Sequence, residues 1–209
     1  MGADLRQEFR DAFDVSRETM ERLDQYASLL DKWNPAINLV SKSTISMLWQ
    51  RHFHDSAQIF EFRPESTHHW ADLGSGGGFP ALVLSILALE LSPNDKFTLV
   101  ESDLRKVAFL QTVIRELGLN AVVVAERIEG TPPINADILT ARALSSLNNL
   151  LEYAEMHLNP NGIAVFPKGE TYKKEIEEAV GQWKFELEEF TSKTNPNGAI
   201  LKIGGIKRV

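Results

Sequence analysis

The 209-residue chain contains no cysteine. Disulfides, thiolate metal sites and cysteine nucleophiles are therefore excluded. Long hydrophobic runs are missing too. The longest apolar stretch, Ala81 to Leu91, is interrupted by Ser85 and Glu90, and it falls short of the ~20 apolar residues that cross a bilayer. The opening residues, MGADLRQEFRDAFD, lack the apolar centre of a signal peptide, so a cytoplasmic protein is expected. Positive charge is scarce: 22 Lys and Arg stand against 29 Asp and Glu, for a net charge of −7. Free-standing nucleic-acid binders carry a strong basic excess. The balance argues against general binding to bare RNA or DNA and leaves room for a local basic patch. No Ser-His-Asp set or carboxylate pair stands out, and no internal repeat or low-complexity segment is present.

What is there is the composition of an ordinary soluble protein, 43% hydrophobic and 24% charged. A chain this long buries roughly 70% of its unfolded surface and needs no covalent staples. Met20, Leu23, Tyr26, Ala27, Leu30 and Trp33 recur at helical spacing, with Ser16 as a plausible N-cap and Asn34-Pro35 as a stop. A shorter helix before it and another from about Thr44 to Phe60 complete a helical extension, residues 1–66, packed on the core. From residue 67 to 209 the pattern changes. HHWADL, FTLVE, AVVVAE, ADILTA and GIAVFP read as short buried strands. Helical stretches at Pro80 to Leu91, Leu104 to Leu117 and Leu147 to His157 separate them. WKFELEEF and AILKIGG flank the turn TNPNG as an antiparallel edge pair. The fold class expected is α/β: a doubly wound, mostly parallel, seven-stranded sheet.

Residues 70–80 read WADLGSGGGFP. Glycines at 74, 76 and 78 directly after the first strand mark either a tight turn or a place where backbone must meet a ligand. In such sheets the ligand crevice lies beyond the carboxyl ends of the strands, and the following helix N-terminus favours an anion. Three readings compete. The dinucleotide pattern G-x-G-x-x-G fits only loosely, through Gly76, Gly78 and Ala81. The spacing Gly74, Gly76, Gly78 preceded by Asp72 reads more naturally as the turn of S-adenosylmethionine (SAM) methyltransferases. The third reading is a turn without a ligand. Glu101, at the end of the second strand, weakens the third, because a carboxylate there can accept both hydroxyls of an adenosine ribose. It does not choose between NAD and SAM.

Further segments line up in order: KWNPAINLVS, RHFHDS, ADLGSGGGFP, LVESDLRKVAFLQ, ERIEG, TARAL and FPKG. Through them nearly the whole chain resembles the glucose-inhibited division protein B family, SAM-dependent guanine-N7 methyltransferases of 16S ribosomal RNA. The resemblance implies SAM as cofactor and, as target, a guanine of the small ribosomal subunit or its precursor, nucleotide 527 in the 530 loop. It places Gly74 and Phe79 in the SAM loop beside Asp72, Gly76 and Gly78, and Glu101 on the ribose. Ile128 and Glu129 would border the adenine, Arg142 would face the methyl-transfer site, and Lys168 and Arg51 would meet RNA. The chain departs from the family in having His54 before Asp55-Ser56, where relatives often have leucine, and Ala81, where they often have a second glycine after the loop proline.

Guanine N7 has a lone pair and no proton, so no general base is needed, and Arg142 is expected to position either the cofactor carboxylate or guanine O6. RNA contact could draw on Arg51, Arg142, Lys168, Lys173, Lys174, Lys207 and Arg208. His52, His54 and Asp55 raise a metal site, but positions 52 and 54 face apart on a helix and no matching ligand cluster is evident elsewhere, so the segment reads as packed or RNA-facing. No metal and no membrane partner is expected, and a monomer is. Trp33, Trp49 and Phe53 read as packing between extension and sheet. The rival readings are a same-fold methyltransferase for another substrate, a non-catalytic small-subunit assembly factor, and a dehydrogenase.

Overall fold

Ser16 opens the longest helix. Its side chain accepts the Thr19 N–H at 3.2 Å, the N-cap bond expected of serine. The computed structural model describes residues 5–209. In it α1 (Leu5–Phe13) precedes α2 (Arg17–Ile37), which buries Met20, Leu23, Tyr26 and Leu30. The expected stop at Asn34-Pro35 falls one turn early. Pro35 sits in the last turn, where its fixed φ is helical and its missing N–H removes one backbone bond, to the Asp31 carbonyl, near the helix end. Asn38, at φ 49°, ends the helix with its N–H on the Asn34 carbonyl. Asn34 is itself buried, and its side chain accepts the Val40 N–H at 2.9 Å.

The helix expected near Thr44 to Phe60 is a broken path instead. A 3₁₀ turn (Lys42–Met47) leads into a π-helical stretch (Trp49–His54), a single α turn, α3 (Asp55–Ala57), and a second 3₁₀ turn (Gln58–Phe62). The segment buries His52 and Phe53, then Ser56 to Ile59, with Trp49 against Phe9, Phe53 against Tyr26 and His52 against Phe79.

Seven strands follow: β1 (His69–Leu73), β2 (Lys96–Val100), β3 (Ala121–Val124), β4 (Ala136–Thr140), β5 (Leu158–Lys168), β6 (Trp183–Thr191) and β7 (Ala199–Arg208). Their order is β3-β2-β1-β4-β5-β7-β6. The first five run parallel, and β7 joins β5 and β6 antiparallel. This is the doubly wound sheet with an antiparallel edge pair, and its order reverses between β1 and β4. α4 (Ala81–Leu91), α5 (Leu104–Leu117) and α6 (Leu147–His157) lie where the periodicity predicts. α7 (Tyr172–Val180) was not foreseen, because only Ala179 of its residues is buried and its apolar signal is weak.

Two apolar layers cover the sheet. One unites α1, α2, the irregular segment, α4 and α5 with side chains such as Trp70 and Phe97. The other lies under α6 and α7. Residues 81–88 of α4 are all buried, between the sheet and α2. The N-terminal helices therefore share one core with the sheet. No helix among the described residues is long and apolar enough to cross a membrane.

Candidate active site

β1 ends at Leu73 and the chain turns through Gly74, Gly76 and Gly78 at φ of 64°, 55° and 92°. These are left-handed conformations that a side chain would strain. The turn is bonded on three sides. The Ser75 N–H donates to the Val100 carbonyl at 3.1 Å and the Gly76 N–H to Glu101 Oε2 at 2.9 Å, tying it to the end of β2. Tyr26 of α2 donates its hydroxyl to the buried Gly77 carbonyl at 2.5 Å. The Tyr26 ring stacks on Phe53 and Phe79, with centroids 5.5 and 5.3 Å away. The extension thus holds the glycine turn from the side opposite the sheet.

Two cavities open along the carboxyl ends of the strands. The inner one, about 350 Å³, is lined by Glu101, Ile128, Glu129 and Tyr153 among others. Glu101 accepts the Gly76 and Asp103 N–H groups, one on each oxygen. A carboxylate has about four acceptor positions, so two stay available to a ligand. Tyr153 donates to Glu129 at 2.6 Å. That bond holds the Glu129 carboxyl below its ordinary range and pushes the Tyr153 phenol up to about 12. Beneath, the buried His157 puts Nε2 3.3 Å from the Ile128 carbonyl, and burial lowers its pKa.

The outer cavity, about 530 Å³, lies between the irregular N-terminal segment, the glycine turn and the β6–β7 turn. Its walls include Thr44, Arg51, Phe79, Lys168, Thr194 and Asn195. Gly74, Arg142 and Ala143 line both cavities, so the two meet there. Ala143, at φ 53°, turns the chain directly after Arg142.

Arg142 is held on several sides. Nη1 donates to the Arg51 carbonyl and to Asp55 Oδ2, both at 3.2 Å, and Nη2 donates to His52 Nδ1 at 2.8 Å. The guanidinium lies 5.1 Å from the centroid of the Phe79 ring. Because the guanidinium can only donate, His52 Nδ1 accepts, and the far ring nitrogen carries the proton and donates to the Thr44 hydroxyl at 2.8 Å. Burial, then the charges of Arg142 and Arg51, lower the His52 pKa to about 3. The ring is a neutral acceptor for the arginine. Two of the five guanidinium N–H groups, Nε–H and one on Nη2, have no partner among the described residues.

The structure thus brings Gly74, Gly76, Phe79, Glu101, Ile128, Glu129, Arg142, Lys168 and Arg51 to the two cavities. Asp72 and Gly78 line neither. Gly78 is packed against Leu82 and Tyr26. Asp72 lies under the turn, where Oδ1 accepts from Thr140 at 2.7 Å and Oδ2 has no partner among the described residues. Burial pushes its carboxyl up to about 6. Lys168 is a wall residue, its side chain 9% exposed, paired with Glu175 at 2.6 Å and donating to the Ser145 carbonyl. The seven basic residues do not converge. Lys168 stands opposite Ala199 at the rim, whereas Arg208 stands opposite Trp183 at the far end of the sheet, because β7 runs antiparallel. Sequence reading did not single out Tyr153 or Thr194, and placed His52 and Asp55 in a packed or RNA-facing segment after weighing them as metal ligands. No spacing rule links them to the cleft; only the fold brings Thr194 to it. Among the described residues no group of three His, Cys, Asp or Glu could hold a metal ion.

A family model described as rRNA small subunit methyltransferase G matches residues 19–199. The ribosomal RNA small subunit methyltransferase G of Ruegeria sp. (strain TM1040) is 53% identical over 94% of this chain and 95% of its own length. The protein of that name from Ruegeria pomeroyi is 52% identical over 93% and 95%. Among solved structures, a SAM-dependent methyltransferase from Aquifex aeolicus superimposes with a TM-score of 0.56 over 85% of this chain and 96% of its own, at 14% identity. M. jannaschii TYW2 in complex with AdoMet gives 0.53 over 81% and 78%, at 13% identity. At these identities the two structures speak for the fold.

Proposed function

The chain belongs to the rRNA small subunit methyltransferase G family, and on that footing we propose that it transfers a methyl group from SAM to N7 of one guanine in 16S ribosomal RNA, in the 530 loop. The observation that carries this reading is the meeting of two cavities at Gly74, Arg142 and Ala143. The inner one suits the adenosine of the donor and the outer one a base. The residues present fit SAM. Glu101 has acceptor positions left for a ribose diol, and a Cβ on Gly76 would meet only the Gly74 carbonyl, at 3.7 Å, so the turn is open to a ligand. The unpartnered buried oxygen of Asp72 is an anion that a cationic cofactor would offset.

When bound, SAM supplies an electrophilic methyl on a sulfonium. Glu101 would hold the ribose, Ile128 and Glu129 the adenine edge. Arg142, fixed by Asp55, His52 and the Arg51 carbonyl, offers its two remaining N–H groups at the junction. These suit a carboxylate or guanine O6. A fork onto both O6 and N7, common in DNA readout, would occupy the lone pair that must react. Because N7 carries no proton, no side chain has to accept one. The neutral His52 and the ion-paired Asp55 are accordingly holders of geometry, and catalysis rests on orientation, which can contribute roughly 7–11 kcal/mol.

Arg51, exposed at the outer cavity, would face the RNA backbone near the target base, while Lys168, paired with Glu175, would shape the cavity wall. The enzyme works in the cytoplasm as a monomer on the small subunit or its precursor. The test uses methyl-labelled SAM and small subunits from cells lacking the modification. Label at N7 of a single 16S guanine is expected. Label on another base or on protein, or no transfer despite bound SAM, would overturn the reading; the last outcome would favour an assembly factor.

A further inference from the structure

Asp55 joins three segments that are far apart in the chain. It stands on α3 with a side chain 17% exposed, among the residues lining the outer cavity. Its Oδ2 accepts from Arg142 at 3.2 Å. Its Oδ1 accepts from the Thr194 hydroxyl at 2.6 Å and from Gln58 Nε2 at 3.1 Å. Thr194 belongs to the β6–β7 turn, which forms the wall across the cavity from the N-terminal segment. Gln58, 1% exposed, docks the same turn by accepting the Lys193 N–H at 2.9 Å. One carboxylate therefore touches both the guanidinium at the junction of the two cavities and the turn that closes the outer one.

We propose that Asp55 is a positioning residue for the methyl acceptor, setting Arg142 and the β6–β7 turn relative to each other so that the outer cavity presents one base to the junction. This rests on the reading of the cleft given above. The chemistry needs a carboxylate. Arg142 and Thr194 both donate, and an amide offers one acceptor and one donor, so asparagine must abandon one of them. The carboxylate also supplies the charge opposite Arg142 that the neutral His52 cannot. Asp55 does not itself line the inner cavity and reaches it only through Arg142, so donor binding is expected to be separable from acceptor placement. Misplacing an orienting group by about 1 Å can cost on the order of 100-fold in rate without touching the reacting atoms.

The experiment measures methyl transfer to unmodified small subunits by wild type, Asp55→Asn, Arg142→Ala and the double variant, each normalised to its SAM-binding stoichiometry, which counts folded sites. The expected result for Asp55→Asn is a kcat lower by roughly 10–100-fold, with KM for SAM within roughly two-fold of wild type. In the Arg142→Ala background the same change should have little further effect. Thr194→Val, which breaks the turn's contact with Asp55 and a 3.2 Å bond to Ser192 inside the turn while leaving the Asp55–Arg142 pair, should fold and give a smaller loss of kcat; it stands in if Asp55→Asn fails to fold. A wild-type kcat in Asp55→Asn, or losses that multiply fully with Arg142→Ala, would overturn the proposal. If the wild type itself transfers no label to the RNA, the reading of the cleft fails and the proposal with it. An active wild type beside an equally active Asp55→Asn sinks the proposal alone.

Discussion

Asp72 holds an expensive charge, and its replacement should reveal what that charge is for. The residue is 2% exposed, one oxygen is bonded to Thr140, and the other has no partner among the described residues. Burial raises its pKa from 3.8 to about 6. Below pH 3.8 the group is protonated folded or unfolded, and nothing is lost. As pH rises from there to about 6 the unfolded chain ionises first, so stability falls. Above about 6 the full penalty stands, about 3 kcal/mol at 1.36 kcal/mol per pH unit. Asp72→Asn removes the titration. Its amide leaves a buried N–H group unpaired, a cost that does not vary with pH. The variant's stability relative to wild type should therefore rise by about 2 kcal/mol between pH 4 and pH 8, the remainder of the penalty falling below pH 4. Urea unfolding at several pH values measures this. SAM binding supplies the opposite arm. Wild-type affinity should weaken as pH falls through about 6, while the variant should bind more weakly and without that step. A relative stability flat with pH would refute the buried-anion argument. Unchanged SAM affinity in the variant would refute its link to the cofactor.

Other outcomes follow from the same contacts. Tyr26→Phe keeps the stacked ring and strips the buried Gly77 carbonyl of its donor. It should cost about 1–3 kcal/mol in urea unfolding and weaken SAM binding in calorimetry. Gly78→Ala places a Cβ 2.3 Å from Leu82 Cδ1 and 2.8 Å from the Tyr26 hydroxyl at φ 92°. Thermal melting should show a severe loss, whereas Gly130→Ala, with nothing within 4 Å, should melt like wild type. Arg142→Ala should lose roughly 100-fold or more in turnover and keep cooperative unfolding; wild-type kcat/KM in that variant would end its assigned role.

Local signals were enough for much of the fold. α5 begins at Asp103, whose side chain accepts the Arg105 N–H, and ends at Gly118 with φ 64°, so both boundaries lie in residue type. The glycines of 74–78 and the strand-end Glu101 were legible because turn geometry and strand ends are local properties. What could not be read depends on long-range packing. The segment from Thr44 to Phe60 has helical composition, yet it winds as 3₁₀, π and α turns packed on Phe9, Tyr26 and Phe79, contacts that lie far away in the sequence. Lys168 resembles a solvent lysine until Glu175 from α7, an element not foreseen, closes over it. Asp55 and His52 looked like metal ligands or packing because Arg142, their partner, lies about 90 positions away. Lys207 and Arg208 sit at the wrong end of the sheet for the cleft, which only the direction of β7 reveals.

The division of labour between the two cavities can be seen directly in a crystal structure with S-adenosylhomocysteine, the demethylated product. Adenosine should lie against Glu101, Ile128 and Glu129, with the sulfur at the junction of Gly74, Arg142 and Ala143, facing the outer cavity. A ligand whose sulfur points away from Arg142, or whose ribose makes no contact with Glu101, would contradict the proposed site.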